Sequence, residues 1–151
     1  MEIIKIVERE RQLLETLTRI WEDSVRQTHT FLAEADIQAL RPLVRQGLTE
    51  IPELWVLVAG SEYKGFMGIA DSKLEMLFID GRERGRGFGS ALLQYAIRKL
   101  GVTEVDVNEQ NLQAYVFYQK YGFKKYARSE LDGQGNPFPI LQLRYRPTKE
   151  H

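Results

Sequence analysis

A chain of 151 residues with 21 basic and 21 acidic side chains has no formal net charge, which excludes a general attraction to nucleic acid or anionic lipid. Its 43% hydrophobic and 28% charged content excludes a disordered chain, and its length suffices for one domain with a buried core. With no cysteine, disulfides, thiolate metal ligands and a cysteine nucleophile are all ruled out.

Met1 to Val7 alternates isoleucine with polar residues and predicts a first strand, with no signal peptide ahead of it. From Glu8 to Thr28 the residues Leu13, Leu14, Leu17, Ile20, Trp21 and Val25 recur at helical spacing. A second helix is predicted over Asp36 to Leu48, broken or kinked near Arg41 by Pro42. Glu53 to Ala59 is a dense apolar strand, Ser61 to Lys64 a turn, and Gly65 to Ala70 its hairpin partner. Lys73 to Ile79 is the next strand, and it runs into a glycine-rich turn before helical spacing resumes at Leu92, Leu93, Ala96, Ile97 and Leu100. A strand over Val102 to Val107, a helix over Asn111 to Tyr121 and strands over Phe123 to Leu131 and Phe138 to Tyr145 complete the chain. Residues 1–147 read as a single domain and 148–151 as a tail. No apolar run is long enough to span a bilayer, so the expectation is a cytoplasmic protein, monomeric or homodimeric, without membrane, nucleic-acid or metal partners.

Two segments carry the chemistry. In Arg84-Gly85-Arg86-Gly87-Phe88-Gly89-Ser90, a strand gives way to a helix whose first amides lack intrahelical partners. Those donors, the helix dipole and glycines without Cβ atoms favour a closely approaching anion such as phosphate. The turn lacks the Gly-Lys-Ser/Thr ending of a P-loop, and its evenly spaced glycines do not match the dinucleotide fingerprint. A tight turn with exposed arginines, or an arginine–glycine contact to nucleic acid, remains the plainer reading of this segment alone. In the second segment Ala114, Phe117, Tyr118 and Tyr121 fall at i, i+3, i+4 and i+7, the apolar stripe of a helix closed by Gly122.

Together these segments resemble the GCN5-related N-acetyltransferase (GNAT) superfamily. Its acetyl-CoA signature matches at Arg84, Gly87 and Gly89, and its second motif at Asn111, Ala114, Phe117, Tyr118, Gly122 and Phe123. One departure is Gly81, where many members carry proline. Within the superfamily, phrases such as Thr28-His29-Thr30-Phe31-Leu32 and Val107-Asn108-Glu109-Gln110-Asn111 are similar to the bacterial YjaB-type acetyltransferases.

The resemblance implies an α/β (α+β) fold: a mixed, mostly antiparallel sheet of about seven strands flanked by about four helices, with a splayed parallel strand pair. It implies transfer of an acetyl group from acetyl-CoA to a primary amine, a protein lysine or a small molecule, by direct attack in a ternary complex. A non-catalytic acyl-CoA-binding module of the same fold is the alternative. The coenzyme would be held by Leu77, Phe78, Ile79, Arg84, Gly85, Arg86, Gly87, Phe88, Gly89, Ser90 and Asn111. Tyr118 would also touch it and give a proton to the departing thiolate. A lysine acceptor, with a pKa near ~10.4, is neutral only about once in 10³ molecules at pH 7, so a base is expected. Glu75, placed by strict alternation on the face of Leu77 and Ile79, is the first candidate. His29, in the connection between the first two helices, is the second.

Overall fold

The computed structural model describes residues 1–147; the tail expected at 148–151 lies outside them. Among the described residues seven strands form one sheet: β1 (Glu2–Ile6), β2 (Glu53–Ala59), β3 (Glu62–Ala70), β4 (Lys73–Ile79), β5 (Glu104–Asn108), β6 (Phe123–Ser129) and β7 (Ile140–Tyr145). Four α-helices accompany them: α1 (Arg11–Thr28), α2 (Glu34–Glu50), α3 (Phe88–Leu100) and α4 (Leu112–Lys120). The strand order is β1-β2-β3-β4-β5-β7-β6. Every neighbouring pair is antiparallel except β4 and β5, which run parallel. This is the mixed sheet expected from the sequence. No helix among the described residues is long and apolar enough to cross a membrane.

Alternation along the strands divides the core between the two faces of the sheet. Leu54, Val56 and Phe66 pack with Leu17, Ile20, Trp21 and Leu48 of α1 and α2. Leu57, Met67 and Ile69 pack with Leu92, Leu93 and Ala96 of α3, and Tyr118 of α4 joins them. Each fully buried leucine or isoleucine contributes about 1.5–3 kcal/mol by leaving water.

Two local readings differ from the structure. The β2–β3 connection is the two-residue turn Gly60–Ser61, with φ of 60° and 65°, rather than a turn over Ser61 to Lys64. Positive φ at both central residues matches the twist of the flanking strands. Of the break or kink expected near Arg41, the break is absent, because helix α2 runs unbroken through Pro42. That residue is exposed, so water can satisfy the carbonyl that its missing N–H leaves free.

The cleft that concerns function opens where β4 leaves β5. Their pairing is limited to Lys73 with Glu104 and Leu74 with Val105. At the same point the β3–β4 register jumps from Gly68 opposite Met76 to Ile69 opposite Leu74, leaving Glu75 without a partner. An extra residue of this kind bends and twists its strand. Strand β5 meanwhile pairs with β7 along its whole length, so β4 and β5 diverge.

Candidate active site

At the end of β4, Asp80 is almost completely buried and caps the short 3₁₀ turn Gly81–Glu83 by accepting from the backbone N–H of Arg82 at 3.1 Å. The Arg82 guanidinium also donates to Asp80 at 2.8 Å and holds its carboxyl below the usual carboxylate range. Lys64 and Arg86 converge on the Glu83 carboxylate at 2.9 and 2.8 Å. Of the three arginines in this segment, Arg84 has no carboxylate partner among the described residues. It reaches across the cleft to Gln113 Oε1 at 2.9 Å.

Helix α3 begins at Gly87, whose φ of 81° and ψ of 7° place it in the left-handed region, and no side chain caps the helix. The amides of Phe88, Gly89 and Ser90 therefore meet the cleft without helical partners. Gly85 shares the φ of 81°, and a Cβ added at either glycine would meet nothing within 4 Å. The fit to a diphosphate is direct: adjacent N–H donors, the positive end of a helix, one guanidinium held only by a neutral amide, and no side chain between backbone and ligand. Below the helix start, Ser90 Oγ and Tyr121 OH share a short hydrogen bond, to which Gln94 adds a third partner at 2.9 Å.

The opposite wall is α4. Asn111 caps it, its Oδ1 accepting from the Ala114 N–H at 3.2 Å. The Asn111 Nδ2 lies 3.3 Å from His29 Nε2, and His29 Nδ1 lies 2.8 Å from Thr28 Oγ1. Tyr118, 7% exposed, sits two turns along α4 with its ring edge-on to Phe117 and Phe123. Burial pushes its hydroxyl well above the usual phenol range, so it stays protonated.

These elements enclose a cleft of about 410 Å³ that runs from the start of α3 to Tyr118. His29, Leu77, Phe78, Ile79, Arg84, Gly85, Gly87, Phe88, Gly89, Ser90, Asn111 and Tyr118, all singled out from the sequence, line it. Two candidates do not. Arg86 turns to Glu83, and Glu75 is separated by the bulge. Strict alternation fails at that bulge. Leu74 and Leu77 both pack toward α3 and α4, whereas Met76 and Phe78 pack toward α1 and α2. Glu75 lies with Met76 in a groove beside α2 and at the rim of the narrower space between β4 and β5 where Tyr118 ends. Its nearest cation is Lys73, at 3.9 Å. Sequence reasoning missed Thr28, Gln113 and Tyr121 in the cleft. Thr28 adjoins a flagged histidine, but no spacing rule links Gln113 to Arg84.

Burial alone lowers the His29 pKa from 6.5 to about 4. In the unfolded chain this imidazole titrates near ~6.5, so between about pH 6.5 and 4 the unfolded state binds the extra proton. The associated stability, roughly 2–4 kcal/mol, is complete above pH 6.5 and lost as the pH falls through 4. In His29→Gln the urea midpoint should therefore fall less steeply across this window than in wild type. Parallel curves would contradict the assignment.

The chain matches the family described as "Acetyltransferase (GNAT) domain" over residues 19–140. It is 44% identical over 132 residues to the peptidyl-lysine N-acetyltransferase YjaB of Salmonella typhimurium, covering 87% of this chain and 90% of that one. The Escherichia coli protein of the same name is 43% identical, with 87% and 89% covered. The solution structure of apo-form YjaB from Escherichia coli superposes with a TM-score of 0.86 and 40% identity over 98% of this chain and 100% of that one.

Proposed function

Because this chain belongs to the GNAT acetyltransferase family, we propose that it acetylates lysine side chains of proteins in the cleft between β4 and β5. Family membership makes it an acetyl-CoA-dependent N-acetyltransferase that acts on an amine. Lysine as the acceptor is the further step, supported by two peptidyl-lysine N-acetyltransferase relatives above 40% identity.

The residues take the following parts. The amides at the start of α3, with Arg84, hold the diphosphate of the substrate. Beyond Leu74 the β4 edge facing β5 has no strand partner, so the backbone of Leu77 to Ile79 is free to bond the pantetheine arm. The Leu77 N–H polarises the thioester carbonyl, and Tyr118 gives its proton to the departing thiolate. Glu75, at the rim near the amine's entry, accepts the acceptor's proton directly or through water. One observation carries this reading: a protonated, buried tyrosine closes a cleft whose other end is an uncapped helix N-terminus.

A lysine peptide incubated with acetyl-CoA should gain one acetyl group at the side chain for each coenzyme A released, as read by mass spectrometry and thiol titration. Thiol release with no acetylated peptide would refute the lysine assignment.

A further inference from the structure

Both ring nitrogens of His29 are engaged, and the surrounding bonds dictate which of them carries the proton. Thr28 Oγ1 donates its one proton to the Ser24 carbonyl at 2.8 Å, so toward His29 Nδ1 it can only accept. Independently, Asn111 Oδ1 is taken by the Ala114 N–H, so the atom that Asn111 turns to His29 Nε2 is its amide nitrogen, a donor. Both arguments select one form: the proton on Nδ1 and the lone pair of Nε2 accepting from Asn111. The result is a directed chain from the α4 cap through the imidazole to the last turn of α1.

A second set of contacts extends from the same ring. Phe31 packs on His29 with 5.4 Å between ring centroids, and on Phe138 with 5.9 Å. Phe138 stands in the segment just before β7. The imidazole thus meets two segments that border the cleft, the end of α1 and the N-terminus of α4, and through Phe31 it also touches the approach to β7.

We propose that His29 is a positioning residue rather than the base: held in its Nδ1–H tautomer by Thr28 and Asn111, it sets the separation between the acceptor-side wall and the helix that carries Tyr118. A base needs a free lone pair, and that of Nε2 is already occupied. The fixed ring instead keeps the connection between α1 and α2 at one distance from Asn111, which lies 82 residues away in sequence. This inference rests on the proposed acetyl transfer only for its kinetic arm, since the tautomer is a property of the protein alone.

Two measurements test it. In the full-length ¹⁵N-labelled protein, long-range proton–nitrogen spectra should show His29 with a protonated Nδ1 and a bare Nε2, His29→Gln serving to assign the signal between the two histidines. A ring protonated at Nε2, or one exchanging between forms, would overturn the proposal whatever the activity. In the acetylation assay, Thr28→Val leaves the imidazole in place but removes its acceptor. It should lower kcat/KM for the amine about tenfold, the worth of one buried hydrogen bond, with KM for acetyl-CoA within about twofold. Thr28→Ser, which restores the hydroxyl, should recover most of that loss. Wild-type kinetics in Thr28→Val beside a large loss in His29→Ala would show that the ring acts chemically, and would likewise overturn it.

Discussion

Tyr118→Phe should lower kcat about 10²-fold while coenzyme A affinity stays within about twofold of wild type. The substitution removes one oxygen and leaves the ring, whose edge-on contacts with Phe117 and Phe123 have centroids 5.3 and 5.8 Å away. Burial is the one cause of the raised hydroxyl pKa, and a buried hydroxyl without a strong partner contributes little to folding. The variant should therefore fold as well as wild type, and lost turnover can be assigned to the proton rather than to packing. The size of the effect follows from the leaving group. A thiol with a pKa near ~8.5 departs fairly readily as thiolate, so a proton donor adds a useful but bounded factor. Because Tyr118 stays protonated throughout the ordinary assay range, its loss should lower the pH profile without moving it. Wild-type kcat in this variant, measured as thiol release under saturating substrates, would remove the tyrosine from the proton transfer.

The second large effect is expected at the start of α3. Gly87→Asp should weaken coenzyme A binding about 10²-fold, because a carboxylate would occupy the place of the diphosphate and repel it at a few ångströms. Stability should change by less than about 1 kcal/mol, since two terms offset each other. An aspartate at the φ of 81° found here costs about 1 kcal/mol over glycine. A carboxylate at an uncapped helix N-terminus returns a similar amount through the free amides and the dipole. Calorimetric titration with coenzyme A, set beside a denaturation curve, separates the two quantities. Unchanged affinity in a folded variant would place the diphosphate elsewhere.

What the sequence disclosed, and what it hid, follows from the range of the interactions. The turn from Arg84 to Ser90 and the segment from Asn111 to Gly122 are local, so their residue types and spacing were enough to locate both walls of the cleft. Strand β4 was legible in its limits but not in its shape. A period-two reading of Lys73 to Ile79 cannot reveal that Glu75 is skipped in the ladder, because the bulge arises from the register with β3 and the departure from β5. Glu75 consequently stands beside Met76 and α2 and meets Leu77 only in the narrow space between β4 and β5, outside the main cleft. Pro42 does not break α2 because the carbonyl that its missing N–H leaves free lies on an exposed face, where water can take the place of the lost donor. His29 was flagged for its chemistry, yet its partner Asn111 is distant in the chain and only the tertiary structure joins them.

The most direct test of the account follows backbone amide resonances while coenzyme A is added to the ¹⁵N-labelled protein. Saturable one-to-one shifts at Phe88, Gly89 and Ser90, continuing along Leu77 to Ile79, are the predicted result. Shifts confined to the outer groove between α1 and α2, lined by Arg19, Arg41 and Arg45 together with Glu15 and Glu22, would contradict it.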